Sequence, residues 1–147
     1  MAGAEDSRAD YLRWALLTMK RGAWAPLMLI AIHAVALFGL DAYEYFPPID
    51  IPMHFFGGVS AAYFLRCALL TAPECGVEKA ITASAINRLV LAMTFAVTVL
   101  WEIAEFWLDR TRGTHLQLGP ADTAGDMLLG TLGGGALLFF LSRRRAK

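Results

Sequence analysis

The sequence predicts an all-α fold, an integral membrane bundle of four transmembrane helices, and two observations lead to this prediction. The 147 residues are 57% apolar and 18% charged, with a mean hydropathy of +0.50. A soluble domain is usually about 45–50% apolar and about 25% charged. The apolar residues also form long runs, whereas the strands of a membrane barrel would alternate apolar and polar residues.

Four of these runs approach the length of about 17–25 residues that crosses a bilayer as a helix. They are residues 24–40, 51–70, 89–107 and 127–141. The fourth would be only about 22 Å long, so its helix is expected to begin earlier, near Asp126. Residues 10–20 predict a short interfacial helix. We therefore expect an interfacial segment at 1–22, a transmembrane domain at 23–142 and a basic tail at 143–147.

The distribution of basic residues predicts the orientation of the chain. Eleven of the 13 Lys and Arg residues precede the first run, bracket the connection between the second and third, or follow the fourth. Only Arg110 and Arg112 fall on the other side, so the positive-inside rule places both termini in the cytoplasm. The net charge of zero excludes the basic signature of a nucleic-acid-binding protein.

Acidic residues gather at the opposite, outer ends of three runs. The set, with one neighbouring histidine, is Asp50, His54, Glu102, Glu105, Asp109, Asp122 and Asp126. Spacings of three, four and seven residues place the members of each helix on one face. Asp122 follows Pro120 and is suited to the N-cap of the last helix.

This clustering would be costly without a compensating partner. A carboxylate at mid-bilayer costs at least about 2.5–3.5 kcal/mol, and crowded carboxylates tend to share protons. The outer basic groups, Arg110, Arg112 and two imidazoles, are fewer than the carboxylates. A divalent cation of open identity would resolve the imbalance, as would shared protons. The lone His33 is expected to be a buried histidine that bonds to a neighbouring helix, with a pocket-facing role as the alternative.

Glycines are expected to bring the helices close together. Gly130 and Gly134 form a small-xxx-small pair, and Gly57 and Gly58 follow His54 by about one turn. Such residues let helix backbones approach in lipid. They would draw the second and fourth helices together, or they would mediate a homo-oligomer.

Three ordered motifs then point to a family. They are His54-Phe55-x-x-Gly58, Trp101-Glu102-Ile103-Ala104-Glu105-Phe106, and Gln117-x-x-Pro120-x-Asp122-Thr123-x-x-Asp126-Met127. Over residues 24–142 the chain resembles the YjdF-like family of bacterial inner-membrane proteins, and more distantly it is similar to VanZ-like proteins. The resemblance implies a bacterial inner-membrane location and a shared residue set of His54, Glu102, Glu105, Asp122 and Asp126. It brings no established activity, although the VanZ-like link points to envelope lipids.

The sequence leaves three functions open. The first is a metal-assisted enzyme that acts on a lipid head group, with Glu102 or Glu105 as general base and His54 as ligand or acid. Here the metal ligands would come from the shared set, while Asp50, Asp109 and Gln117 would complete the polar site. The second function is binding or transport of a cation or proton. The third is a structural or accessory role in which the carboxylates specify helix packing.

Overall fold

The computed structural model describes residues 2–145, with the side chains of residues 7–144. This part of the chain is helical and contains no strand, which confirms the all-α prediction. The α-helices are α1 (Ala2–Gly22), α2 (Trp24–Ala34), α3 (Ala42–Tyr45), α4 (Asp50–Glu74), α5 (Ala83–Arg112) and α6 (Pro120–Arg145). A π-helical turn, Val35–Gly39, extends α2, and a 3-10 turn, Pro47–Ile49, precedes α4.

Among the described residues, three helices are each long and apolar enough to cross a membrane. They are α4 with its preceding turn, α5 and α6. The first predicted run differs, because α1 and α2 form a pair bent by 57° at Ala23 and pass the same test only together. The structure therefore supports a bundle with three candidate spanning helices, or four if the bent pair is one span, and the exact count of four stays a prediction.

The N-terminal helix is longer than the predicted interfacial helix at 10–20. It continues to Gly22, where α1 lies against α4 so closely that an added Cβ would meet the Cys67 Cβ at 3.0 Å. The Trp14 indole N–H donates to the Ala68 carbonyl at 2.8 Å, and Thr18 bonds to Thr71 at 2.8 Å. Tertiary contacts with α4 thus stabilise α1, and they explain why its bounds could not be predicted from the local sequence.

Helix α4 is the centre of the bundle and packs against α1, α2, α5 and α6. Its closest neighbour is α6, because a Cβ at Gly58 would overlap the Gly130 carbonyl and one at Gly133 would overlap the Phe55 carbonyl. On α5, the Thr94 methyl group lies 2.8 Å from the position of a Cβ at Gly134. The predicted approach of the second and fourth helices is confirmed within one chain, and an oligomer through the glycines stays a prediction.

Two helix ends differ from the expectations. The last helix begins at Pro120, as its short apolar run required, but Asp122 is not its N-cap. The Thr123 N–H donates to the Gly119 carbonyl, so Asp122 lies inside the first turn, where it accepts from the Leu118 N–H at 2.9 Å. At the other end α6 continues to Arg145, into the predicted 143–147 tail, of which residues 146 and 147 lie outside the described residues.

Candidate metal centre

Three helix ends meet at one end of the bundle and bring the predicted acidic set together. Helices α4 and α6 run parallel to each other, since Gly130 lies against His54 and Gly134, one turn later, lies against Ala62. Helix α5 runs antiparallel to both, since Gly130 lies against Thr98 and Gly134 against Thr94. The start of α4, the end of α5 and the start of α6 therefore lie at the same level. Carboxylates from all three helices converge there on His54, which is buried at 6% exposure.

The His54 imidazole has carboxylates at both of its ring nitrogens. Nε2 lies 3.2 Å from Asp50 Oδ1, one turn earlier on α4, and 3.8 Å from Glu105 Oε2. Nδ1 lies 3.6 Å from Glu102 Oε1, which exceeds hydrogen-bond distance. The predicted four-residue spacing of Asp50 and His54 on one helix face is confirmed.

Glu102 is clamped on one side and unpartnered on the other. The Gln117 side-chain N–H donates to Glu102 Oε2 at 3.0 Å and to the Glu102 carbonyl at 2.9 Å. The second oxygen, Oε1, is buried and makes no hydrogen bond among the described residues, although the Thr123 side chain lies close to this carboxylate. A buried carboxylate oxygen without a partner is expensive, so Glu102 presents an unfilled acceptor toward His54.

Glu105 and Asp126 complete the buried part of the cluster. Glu105 is 3% exposed, and its Oε1 accepts from the Trp101 indole N–H at 2.8 Å. Asp126 is 6% exposed on the second turn of α6. The indole therefore fixes one Glu105 oxygen and leaves Oε2 on the side of the imidazole.

Within the described residues, three groups of three side chains each place their ligand atoms within 4.8 Å of one another. The groups are Asp50–His54–Glu105, His54–Glu102–Asp126 and Asp50–Asp122–Asp126. Oxygen ligands at 2.0–2.6 Å from one ion, as for magnesium or calcium, lie at such mutual distances. The second group is the one whose three members are all buried.

Asp109 lies on the expected face of α5 but belongs to none of these three groups. Its carboxylate accepts from the Thr114 hydroxyl at 2.6 Å and from the backbone N–H groups of Leu116 and Gln117, each at 3.0 Å. The helix ends just beyond it at Arg112, and the next residue, Gly113, has a φ of 67°, which favours glycine. Asp109 thus holds the connection to α6 in place and positions Gln117 over Glu102.

Three further groups join the site: His33, for which a pocket-facing role was the predicted alternative, and Tyr43 and Trp101, which were not predicted as parts of it. His33 Nδ1 bonds to the Tyr43 hydroxyl at 2.6 Å, which agrees with its predicted bond to a neighbouring helix. The His33 ring also packs edge-on against Trp101 with centroids 4.9 Å apart. Burial, with nearby Asp50 and Glu105, raises the pKa of the Tyr43 phenol. Trp101 and Glu105 are four residues apart on one helix, and this spacing was the one available signal.

Two cavities flank the cluster. A cavity of about 240 Å³ lies between the α3–α4 connection and the start of α6, and its wall combines the carboxylates Asp50, Asp122 and Asp126 with apolar side chains. A largely apolar cavity of about 130 Å³ lies between α2, α4 and α5, with His54 and Glu105 on its wall. The carboxylate and imidazole groups therefore stand between a carboxylate-lined cavity and an apolar one.

Comparison with known proteins agrees with the sequence resemblance at the level of the family. A family model described as "Predicted membrane protein (DUF2238)" matches residues 13–147. No curated protein and no solved structure matches the chain. The more distant similarity to VanZ-like proteins stays a prediction. Since the match covers most of the chain, the protein belongs to the predicted membrane protein family DUF2238, which is the YjdF-like family.

Proposed function

We propose that this protein binds one divalent cation at the outer face of the bacterial inner membrane and uses it to hold the head group of an envelope lipid. In this proposal the α1–α2 pair supplies the fourth span, and both termini are cytoplasmic. The basic residues at the end of the bundle opposite the cluster support that orientation. The ion lies between His54, Glu102 and Asp126.

The observation that carries the proposal is the unpartnered, buried Oε1 of Glu102 beside His54 Nδ1. A cation between these atoms would satisfy an oxygen that makes no hydrogen bond among the described residues. It would also offset the repulsion among the carboxylates of the three groups. A separation of 3.6 Å is too long for a hydrogen bond and suits two ligands of one ion.

Asp50 then acts on the imidazole from outside the ligand set. A metal-binding histidine commonly donates its second ring N–H to a carboxylate, which fixes the tautomer and the ring orientation. Asp50 Oδ1, 3.2 Å from Nε2, is placed to accept that hydrogen bond and to leave Nδ1 for the ion. Asp122 lines the carboxylate-lined cavity. Its carboxylate accepts from the Leu118 N–H and is also placed to become a ligand of the ion.

An enzymatic use of this ion assigns Glu105 the role of general base. Glu105 lies outside the proposed ligand triad, on the Nε2 edge of His54, with one oxygen held by Trp101. An ion held by His54, Glu102 and Asp126 would polarise a phosphoester and activate water. Glu105 would accept a proton from a water that attacks phosphorus while the P–O bond to the leaving group breaks, and it would return that proton to the leaving oxygen.

The test is a titration of the purified full-length chain with Mn²⁺, followed by electron paramagnetic resonance and by metal analysis. We expect one site per chain. Glu102→Gln should lower Mn²⁺ affinity by at least about 100-fold, because the loss of a ligand should exceed the 10–100-fold effect of an outer-shell change. Glu44→Gln, an exposed carboxylate near the same end, is the matched control and should bind as the wild type does. Absence of stoichiometric binding in the wild type would refute the proposal.

The two other functions predict different results in the same preparation. A transporter should show cation-dependent flux in vesicles that Glu102→Gln abolishes. A purely structural role for the carboxylates predicts that Glu102→Gln loses thermal stability in proportion to any loss of phenotype. A stable Glu102→Gln protein that loses Mn²⁺ binding and shows no flux difference from wild type supports the lipid-binding metal site.

A further inference from the structure

The apolar cavity beside the candidate metal centre extends into the membrane-spanning part of the bundle. Its wall runs along α4 from His54 to Ala61, seven residues or about 10 Å of helix. Leu29 and Ile30 of α2 and Val97 of α5 form its sides. The cavity therefore begins at the carboxylate cluster and continues away from it among apolar side chains.

This cavity opens toward the surroundings of the bundle rather than being sealed inside it. Helices α2 and α5 both pack on α4, and the His33 ring of α2 contacts the Trp101 ring of α5. Ile30 and Val97, which stand on the cavity wall, are 49% and 37% exposed. A hydrocarbon chain could thus enter sideways between α2 and α5 without crossing the polar cluster.

The size and lining of the cavity limit what can fill it. A dry apolar cavity of about 150 Å³ holds one benzene molecule, so the 130 Å³ here fits roughly six carbon atoms. The end formed by His33, His54 and Glu105 is polar, so an apolar occupant would leave these groups facing carbon. The occupant that suits both ends has a hydrocarbon segment bonded to a polar group.

The carboxylate-lined cavity on the other side of the cluster supplies the place for that polar group. Its wall includes Asp50, Asp122, Asp126 and His115 among apolar side chains. Once an ion is bound, an oxyanion can become its ligand. The cluster meets both cavities, because His54 lines the apolar one and contacts Asp50, which lines the carboxylate-lined one.

We infer that the ligand of this site is an amphiphilic phosphate, with its first six or so chain carbons in the apolar cavity and its phosphate at the bound ion. This inference rests on the proposed function and names the substrate class for the same site. A water-soluble phosphate would leave the apolar cavity unfilled. A neutral lipid would give the ion no anionic ligand.

The experiment compares decyl phosphate with inorganic phosphate on Mn²⁺-loaded, full-length protein in nanodiscs. Ala61→Leu adds three carbon atoms at the deep end of the cavity, and Val97→Phe fills it from α5 in case the first variant folds poorly. We expect each to lower decyl phosphate affinity at least about fivefold, because filling the space excludes part of the chain. Binding of Mn²⁺ and of inorganic phosphate should stay within twofold of the wild type.

Ala104→Leu, at an exposed position on α5 outside the cavity, is the matched control and should bind decyl phosphate as the wild type does. If Mn²⁺ binds but Ala61→Leu and Val97→Phe leave decyl phosphate affinity unchanged, the inference is overturned and the metal site stands. If the wild type binds no Mn²⁺, the proposed function fails and the inference falls with it.

Discussion

Replacing Gly58 by alanine should separate α4 from α6 and weaken metal binding at the candidate metal centre from a distance. A Cβ at this position would overlap the Gly130 carbonyl oxygen and lie 2.9 Å from the Gly130 Cα, whereas ordinary contact begins at 3.4 Å. The obstacle is backbone, which cannot rotate away as a side chain would. Helix α6 must therefore shift by roughly 1 Å or more, and overpacking of this kind typically costs about 1–3 kcal/mol.

The shift reaches the site because Asp126 lies one turn before Gly130 on α6. Binding constellations must be held within about 0.5 Å to remain productive. A displacement twice as large should lower Mn²⁺ affinity by at least about tenfold, although no ligand has been changed. The thermal unfolding midpoint in detergent and the Mn²⁺ binding isotherm measure the two effects separately.

Gly57 provides the matched control, because it precedes Gly58 on the same helix and faces elsewhere. A Cβ at Gly57 would meet the Leu29 methyl group at 3.5 Å, which is ordinary van der Waals contact. Gly57→Ala should keep both the unfolding midpoint and the Mn²⁺ affinity of the wild type. Equal behaviour of the two alanine variants would show that the close α4–α6 contact does not set the geometry of the site.

Three further changes test other contacts of the site. Asp50→Asn should lower Mn²⁺ affinity by about 10–100-fold through the orientation of His54, with little change in the unfolding midpoint. Asp109→Asn should loosen the α5–α6 connection, because it weakens hydrogen bonds to a charged acceptor. The free energy that holds the connection closed should fall by about 1–3 kcal/mol, and proteolysis within the connection should become faster. Because the pKa of Tyr43 is raised by folding, the unfolding free energy should fall as the pH rises past about 10. Tyr43→Phe should reduce that fall. It also removes the hydroxyl that bonds to His33.

One matched control serves the two carboxylate changes and lies near the same end of the bundle. Asp41→Asn alters an exposed carboxylate and should leave Mn²⁺ affinity and proteolysis unchanged. An Asp50→Asn protein that binds Mn²⁺ as tightly as Asp41→Asn would contradict the proposed role of Asp50. Proteolysis of Asp109→Asn at the wild-type rate would show that the hydrogen bonds of this carboxylate do not hold the connection. A pH profile that Tyr43→Phe leaves unaltered would assign the alkaline loss to other groups.

The sequence allowed the helices of the bundle and most of the site to be predicted, because both follow from local periodicity. Apolar runs located α4, α5 and α6, and the four-residue spacing of Asp50 and His54 placed both on one face. The length of α1 and its bend against α2 could not be read locally, since they depend on contacts between α1 and α4. For the same reason the sequence predicted Asp122 as the N-cap of α6, whereas Gly119 stands at that position and its carbonyl accepts from the Thr123 N–H.

By itself, the sequence determined that the chain enters a membrane and that acidic groups gather at one end of its helices, because hydropathy and residue spacing are properties of single segments. Only the tertiary structure decided which partner each of those groups has. Asp109 accepts hydrogen bonds from its own loop, Gln117 donates to one oxygen of Glu102, and the other oxygen faces His54. The physical reason is that hydrogen-bond partners from different segments are set by how the helices pack, and here glycine contacts between α4 and α6 fix that packing.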